Sequence, residues 1–329
     1  MSSRIQWEEV DARLRAETER MLGSTVVEAA SQPGGFSPGS ADRVLLADGR
    51  RVFVKTGSTA DNPDIVQFHR REAEIAARLD RSLPVPSFVG VVDLKDRIAL
   101  ALEDVAGRAP TTPWRSEELL ATLDAFATIG RTRAPEIAAL GDMRNAGATY
   151  GAGWSRLANE LPELPALPDD LGEWVTANRT VLTRRGAEMA DASAGDRLVH
   201  LDARADNILI RPDGSVTVVD WPWAARGAGW IDALALLFNV RVSDATADVE
   251  AIVQEHPVFE AMPAEHADSV LAGFAGHFLF VSQGPPVPGI PTLRAFQFEQ
   301  SVAILRWLRE RLSRGQRSRR QPDARSQSR

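Results

Sequence analysis

The first third of the chain limits the fold most, because short β-type segments outnumber helical ones there. Runs of β-branched and apolar residues alternate with Gly- and Pro-rich turns. The predicted strands are Thr25–Ala30, Arg43–Ala47, Arg51–Thr56, Phe88–Val92 and Arg97–Glu103. Apolar residues at helical spacing predict helices over Trp7–Leu22 and Asp64–Leu79. These segments predict a five-stranded antiparallel sheet with a helix beside it.

Helical patterns dominate after Gly107. The predicted helices are Ser116–Gly130, Gly153–Leu161 and Leu171–Ala190, and further helices run from Trp230 to Leu312. Strand-like runs at Leu198–His200, Ile208–Ile210 and Val216–Val219 interrupt them. The chain is therefore predicted to be an α+β protein, with an N-terminal lobe over 1–106 that includes a helix at 7–22. A larger, mainly helical C-terminal lobe is predicted over 107–314, and the Arg-rich residues 315–329 predict a basic disordered tail.

Composition excludes several classes of protein. The 329 residues include no Cys, which rules out disulfides, thiolate metal sites and a cysteine nucleophile. The net charge of −7 disfavours nucleic acid as a partner. No apolar run is long enough to span a membrane, and the charged start lacks the apolar core of a signal peptide. We therefore expect a cytoplasmic protein without membrane or nucleic-acid partners.

The candidate chemistry lies where two apolar runs bracket a polar loop. The chain reads LVHLDARADNILI from Leu198, and VTVVDWP follows from Val216. Phosphoryl transfer needs a carboxylate near the attacking hydroxyl and oxygen ligands for Mg²⁺ on the nucleotide phosphates. Asp202 fits the first role, while Asn207 and Asp220 fit the second. The alternative is an ordinary solvated loop, which explains any one of these residues better than all of them together.

The pattern His-x-Asp-x-x-x-x-Asn from His200 to Asn207, with Asp220 after the next strand, resembles that of the aminoglycoside phosphotransferase family and its choline-kinase-like relatives. The resemblance implies a bilobal protein-kinase-like fold, with ATP or GTP as co-substrate and Mg²⁺ as cofactor. It also implies Asp202 as catalytic base, Asn207 and Asp220 as Mg²⁺ ligands, and His200 as a structural member of the loop. Arg204, where protein kinases have Lys, favours a small-molecule kinase.

A Lys–Glu pair is predicted upstream. Lys55 shares a strand face with Phe53, and Glu72 falls on the apolar stripe of the next helix, seven residues after Ile65. A half-buried charge is costly unless paired, so we expect Lys55 and Glu72 to form an ion pair that aims the ammonium at nucleotide phosphates. The alternative is a surface lysine and a glutamate bonded to a neighbouring Arg, or Glu74 in place of Glu72.

Two further segments are predicted to contact the nucleotide. Ser37 and Gly39 belong to a Gly- and Pro-rich stretch whose backbone N–H groups would approach phosphate, although the stretch also fits a plain hairpin turn. Backbone groups of Glu103 and Val105 are expected to bond the purine edge, where the resembling family has its interlobe linker. The side chain of Glu103 is given no chemical role.

The resemblance assigns the acceptor pocket to helices over 111–190 and 230–311. Acidic residues after Val242 would suit a cationic acceptor, or they form a solvated face: Asp244, Asp248, Glu250, Glu255, Glu260, Glu265 and Asp268. Trp221, Trp223 and Trp230 would stack on a sugar or cation, or they pack in the core. Asp232 is expected to be structural.

The predicted function is transfer of the terminal phosphoryl group of ATP or GTP to a hydroxyl of an aminoglycoside-like antibiotic or amino sugar, consistent with antibiotic resistance. A housekeeping kinase for choline, a sugar or an amino-acid alcohol would share the same residues. A nucleotide-binding pseudoenzyme is the alternative from another class, and the intact Lys55, Asp202, Asn207 and Asp220 argue against it. A monomer or homodimer is expected.

Overall fold

The computed structural model describes residues 5–32, 39–60, 62–161, 163–168, 170–287 and 290–320, with side chains described as far as Arg314. The chain divides into two compact units. The first comprises Met1–Gly141, Gly195–Ala235 and Val287–Pro291, and the second comprises Asp142–Ala194, Leu236–Pro286 and Thr292–Arg329. Within the described ranges, no helix combines the length and apolar character needed to cross a membrane.

The first unit contains the five-stranded antiparallel sheet that the sequence predicts. Its strands are β1 (Val26–Ser31), β2 (Ser40–Leu46), β3 (Arg51–Ser58), β4 (Phe88–Asp93) and β5 (Arg97–Glu103). Their order is β1-β2-β3-β5-β4, and every neighbouring pair is antiparallel. The short turn at Gly49, where φ is +88°, joins β2 to β3 and sets their register.

One helix covers each face of this sheet. Helix α1 (Ala12–Leu22) packs with a 3₁₀ turn (Trp7–Glu9) against the face that carries Val52 and Val54. The single helix predicted over Trp7–Leu22 is thus wrong, because the Asp11 carboxylate accepts the Leu14 N–H and begins a new helix there. Helix α2 (Ile65–Ala76) packs against the opposite face, beside Leu100 and Leu102.

The rest of the first unit is built from helix α3 and short strands. Helix α3 spans Ser116–Arg131. The strands are β6 (Gly141–Asp142), β7 (Arg197–Val199), β8 (Ile208–Ile210), β9 (Val216–Val218) and β10 (Ala225–Gly227). β8 and β9 form a hairpin, whereas β7 joins a separate sheet of order β6-β10-β7. β6 and β10 were not predicted, because Gly141–Asp142 and Ala225–Gly227 lack the β-branched, apolar residues that marked β7, β8 and β9.

The second unit is helical. Its elements are α4 (Met143–Gly151), α5 (Gly153–Glu160), α6 (Leu171–Ala187), α7 (Met189–Ala192), α8 (Ile231–Ser243, which begins in the first unit), α9 (Val249–Glu255), α10 (Ala264–Val281) and α11 (Leu293–Arg320). Helix α10 packs against α4, α5, α6, α7 and α11. The Trp154 indole N–H donates to the Ala272 carbonyl over 2.8 Å and fixes α5 on α10. The backbone of α11 continues to Arg320, into the segment predicted as a tail, and residues 321–329 lie outside the described residues.

Candidate active site

Two carboxylates from separate elements of the first unit meet at the Lys55 ammonium. The Lys55 Nζ donates to Glu72 Oε1 and Oε2 over 2.7 and 2.9 Å, and to Asp220 Oδ1 over 2.5 Å. Lys55 lies on β3, Glu72 on α2, and Asp220 just after β9. The predicted Lys55–Glu72 ion pair is therefore confirmed, whereas its direct contact with Asp220 was not predicted.

Electrostatics keep this cluster ionised. Burial by itself would lower the pKa of Lys55, but the carboxylates of Asp220 and Glu72 outweigh it and raise that pKa. Burial would raise the pKa of Asp220, yet the Lys55 ammonium beside it lowers that pKa to about 2. The pKa of Glu72 is also lowered, because Lys55 overcomes its burial. Lys55 is thus a fixed cation on this face of the sheet.

The loop after β7 is braced by two buried groups. The N–H groups of His200 and Leu201 both donate to the Asp232 carboxylate, over 2.7 and 2.8 Å. The His200 ring lies with Nε2 3.0 Å from the Val219 carbonyl, and its Nδ1 accepts the Asp202 N–H over 3.3 Å. This network implies the neutral tautomer with the proton on Nε2, in agreement with the burial that lowers the pKa of His200. These contacts fit the structural parts predicted for His200 and Asp232, which stay predictions.

Asp202 is the carboxylate that this loop presents. Its Oδ2 accepts from Asn207 Nδ2 over 2.8 Å, and its Oδ1 accepts from Arg204 Nη1 over 2.9 Å. Burial raises the pKa of Asp202 to about 6 and the negative charge of Asp220 adds to this, although Arg204 acts in the opposite direction. A carboxyl group with such a pKa is ionised at neutral pH and is basic enough to accept a proton.

The backbone is strained at this site. Asp220 has φ +70° and Leu201, next to Asp202, has φ +65°. Positive φ is unfavourable for residues with a Cβ and is found mainly where the surrounding structure enforces it. In the described residues only one other non-Gly position, Lys95, shares this conformation. The strain therefore concentrates beside the two carboxylates of the site.

The donor set fits Mg²⁺ held mainly by a nucleotide. Nowhere in the described ranges do three or more His, Asp or Glu side chains form a group that could hold a metal ion. Asn207 Nδ2 is used on Asp202, which leaves its Oδ1 as the amide oxygen, and Asp220 is ionised. Mg²⁺ in phosphoryl-transfer sites takes one or two protein ligands, with phosphates and water completing the octahedron. Asn207 and Asp220 suit that mode.

The structure describes three of the four other residues that were predicted to contact the nucleotide. Gly39 has φ +107°, and a Cβ there would lie 2.1 Å from the Thr56 carbonyl oxygen, so only glycine fits. Ser37 lies outside the described residues. The Glu103 N–H donates to the Ser87 carbonyl over 2.9 Å, which takes one of the backbone groups expected to bond a purine. The Val105 carbonyl accepts from Arg43 Nη2 over 3.3 Å.

The tryptophans and acidic residues proposed for the acceptor pocket differ in burial and in their partners. Trp221 and Trp230 are buried, whereas Trp223 is 43% exposed. Among the acidic residues after Val242, Glu250 and Asp268 pair with Arg311. Asp244 and Asp248 accept hydrogen bonds close by in sequence, and Glu255, Glu260 and Glu265 are exposed. These contacts favour the solvated-face interpretation for the exposed members of the acidic run, whereas Glu250 and Asp268 are structural partners of Arg311.

Sequence reasoning missed the role of Arg204 in the loop. Its guanidinium bridges Asp202 and Asp206, donating to the Asp206 carboxylate over 3.0 and 2.9 Å. The spacing Asp-x-Arg-x-Asp is a signal that would have indicated it, because the guanidinium of a long arginine side chain can reach a carboxylate two residues away on either side.

Comparisons with known proteins agree with this geometry. The sequence model of the phosphotransferase enzyme family matches residues 35–265, and no curated protein matches the sequence. A thermostable mutant of aminoglycoside phosphotransferase APH(4)-Ia, in a ternary complex with ADP and hygromycin B, is 15% identical with a TM-score of 0.55, covering 90% of this chain and 98% of its own. Choline kinase LicA from Streptococcus pneumoniae is 14% identical with a TM-score of 0.54, covering 89% and 98%.

A third similar structure is a putative fructosamine-3-kinase from Haemophilus somnus. It is 11% identical with a TM-score of 0.56, covering 92% of this chain and 97% of its own. At these identities the likeness concerns the fold, and it confirms the predicted protein-kinase-like fold.

Proposed function

Since the chain belongs to the phosphotransferase enzyme family, and so is a small-molecule kinase, we propose that it transfers the terminal phosphoryl group of ATP to a hydroxyl of an aminoglycoside-like antibiotic or amino sugar. One observation carries the proposal. A single compact unit holds both a fixed cation, Lys55 between Glu72 and Asp220, and a carboxylate whose pKa is raised to about 6, Asp202. Phosphoryl transfer needs these two elements.

Each residue has a defined part in this proposal. Lys55 binds the phosphates and offsets the charge that develops on them, while Glu72 holds the ammonium in place. Asp202 accepts the hydrogen bond of the acceptor hydroxyl and orients it. It takes the hydroxyl proton as the new P–O bond forms and the bond from the terminal phosphorus to the bridging oxygen of ATP breaks, so that ADP leaves. Asn207 and Asp220 would hold Mg²⁺, which supplies charge neutralisation on the phosphates when bound. His200 keeps the loop in shape.

Asn207 also has a part in positioning the base. Its Nδ2 donates both to the Asp202 carbonyl, over 2.9 Å, and to the Asp202 carboxylate. Asn207 thereby orients one Asp202 oxygen and limits the rotation of the group. Most of the acceleration in such a site comes from positioning and electrostatics, because the protein supplies little covalent chemistry.

The proposed nucleotide and acceptor class are taken from the similar structures. One was solved with ADP and hygromycin B, and others act, by their names, on choline or fructosamine. These acceptors are alcohols that carry an amine or ammonium group. An amine-bearing alcohol is therefore the class to test first, and the choline-kinase likeness keeps a housekeeping metabolite kinase as the second candidate.

The test is ADP or GDP release with ATP or GTP, Mg²⁺ and a panel of aminoglycosides, amino sugars, choline, fructosamine-type amines and amino-acid alcohols. We expect release that depends on one acceptor, with Asp202→Ala as the inactive control. A hit on choline or an amino-acid alcohol alone would replace the antibiotic proposal with the metabolic one. Tight nucleotide binding without release on any acceptor would favour the pseudoenzyme.

Asp220→Ala separates the metal role from the base role. We expect it to lose Mg²⁺-dependent nucleotide binding, measured by calorimetry with and without Mg²⁺, because the ionised Asp220 carboxylate is the stronger of the two metal ligands. Asp202→Ala in the same assay keeps nucleotide affinity within a few-fold. Equal nucleotide binding by Asp220→Ala and the unmodified protein would contradict the assignment.

A further inference from the structure

Trp223 is a large side chain beside the ion cluster that the proposed reaction does not use. It is 43% exposed, yet its ring packs edge-to-face on Phe68 of α2, with ring centroids 5.0 Å apart and planes at 63°. Such aromatic pairs attract beyond the burial of their area. Trp223 follows Asp220 by three residues, so the contact links α2 to the segment that carries Asp220.

Two more contacts join the same elements. The Arg71 Nη2 donates to the Ala224 carbonyl over 3.2 Å, and the Trp221 N–H points to Glu72 Oε1 over 3.4 Å. Phe68 and Glu72 are four residues apart, and Arg71 lies between them at three from Phe68, so they share one side of α2. The side of α2 that delivers Glu72 to Lys55 thus also holds the segment 221–224.

The ion cluster depends on this alignment. Lys55 bonds Glu72 and Asp220 at once, and a shift of α2 against segment 221–224 would pull one carboxylate from the ammonium. Asp220 is held at φ +70°, a conformation that relaxes unless its neighbours enforce it. The Trp221 indole is fixed separately, because its Nε1 donates to the carbonyl of Val218 on β9 over 2.9 Å, and this bond does not involve α2.

We propose that Phe68 and Trp223 are a positioning pair, which fixes α2 against segment 221–224 and so keeps Glu72 and Asp220 on the same Lys55 ammonium. The proposed reaction assigns neither residue a chemical step. The inference rests on the proposed function, because turnover is one of its two readouts. Hydrogen exchange of the segment is the other readout, and it requires no activity.

The experiment is a double-mutant cycle of Phe68→Leu and Trp223→Leu, which keep an apolar side chain at each position and remove the ring pair. We expect each single variant to lower kcat about five- to tenfold, within the range of an aromatic pair interaction, with the KM for ATP changed less than about threefold. The double variant is expected to be no slower than the worse single variant, because the second substitution removes nothing further. Trp223→Phe, which keeps an aromatic ring, is expected to recover most of kcat.

Hydrogen exchange followed by mass spectrometry tests the same pair without turnover. Both single variants are expected to speed exchange in peptides covering α2 and 219–225, and to leave β1 and β2 unchanged. Leu120→Ala is the control, because Leu120 is also in the first unit and is similarly exposed, at 47%. It is expected to change neither readout.

The outcomes are distinguishable. No acceptor-dependent release by the unmodified protein would refute the proposed function, and the exchange data would still decide the positioning pair. Additive losses in the cycle, or variants that melt earlier yet show unchanged kcat at low temperature and unchanged exchange, would reduce Trp223 to a structural residue. Failure of Trp223→Phe to recover kcat would show that ring contact is not the cause.

Discussion

Each compact unit contains a buried ion network in which one cation meets two carboxylates, and the two networks differ in what surrounds them. In the first unit Lys55 meets Glu72 and Asp220, with side chains 12%, 1% and 29% exposed. In the second unit Arg311 meets Glu250 and Asp268, with side chains 8%, 14% and 15% exposed. The number of charges therefore does not distinguish the two networks.

Backbone strain and the accessibility of one carboxylate do distinguish the Lys55 network from the Arg311 network. The Arg311 network joins α9, α10 and α11, and the Trp307 N–H also donates to Glu250 over 2.9 Å. The Lys55 network includes a residue at positive φ, and its most accessible member is that same residue, Asp220. Of these two networks, the one assigned to the proposed reaction is the one in which strain and access coincide. Replacements in the two units should separate loss of rate from loss of stability.

The largest effect is expected from Asp202→Ala in the first unit. Turnover should fall about 10³-fold, because a positioned base contributes roughly 10²–10⁴-fold, while the melting temperature stays close to that of the unmodified protein. Initial rates of ADP release and a thermal melt measure both quantities. Retention of full turnover on an established acceptor would remove Asp202 from the mechanism.

Arg311→Ala in the second unit should lower stability and leave turnover unchanged, the opposite of Asp202→Ala. Removing one partner of a buried ion network leaves its carboxylates uncompensated, so we expect about 3–5 kcal/mol less free energy of unfolding, with kcat per folded molecule unchanged. Urea unfolding and active-site titration at low temperature measure the two quantities. Arg309→Ala is the matched control, because its pair with Asp170 is exposed and its removal should change the free energy of unfolding little. A loss of kcat in Arg311→Ala would contradict this prediction, because it would show that the Arg311 network also supports turnover.

The pH profile sharpens the role of the first unit. The pKa of Asp202 is raised to about 6, so the group is protonated, and inactive as a base, below that value. We expect kcat/KM to fall about tenfold per pH unit below 6 and to be level above it. Arg204→Gln should move the midpoint upward, because Arg204 lowers the pKa of Asp202. An unshifted midpoint in that variant would assign the titration to another group.

The smallest effect is expected from the acidic run of the second unit. Replacing Glu255, Glu260 and Glu265 together by Gln should leave the KM for the acceptor within about twofold, because these side chains are exposed and solvated. Acceptor titrations at low and high salt test this. A KM that rises severalfold at low salt only would restore the acidic run as a cation-binding surface.

The sequence predicted the elements whose signals are local. Alternation in β3 and the apolar stripe of α2 were enough to predict the Lys55–Glu72 pair, which the structure confirms. The spacing from His200 to Asn207 identified the loop, and the family resemblance of that pattern implied a structural part for His200. The break at Asp11 was overlooked, because the apolar spacing of Trp7, Val10 and Leu14 continues across it. The roles given to Ser37, Gly39, Glu103 and Val105 remain predictions.

Sequence alone determined the fold class, the identity of the charged residues and the strand faces on which they lie, because periodicity and turn chemistry act over a few residues. Tertiary structure decided which charges meet. The Lys55–Asp220 contact spans 165 positions, and the sorting of Trp223 to the surface beside Phe68 depends on packing that no local pattern records. It also decided the pKa of Asp202, because burial and the charges of Asp220 and Arg204 act through space.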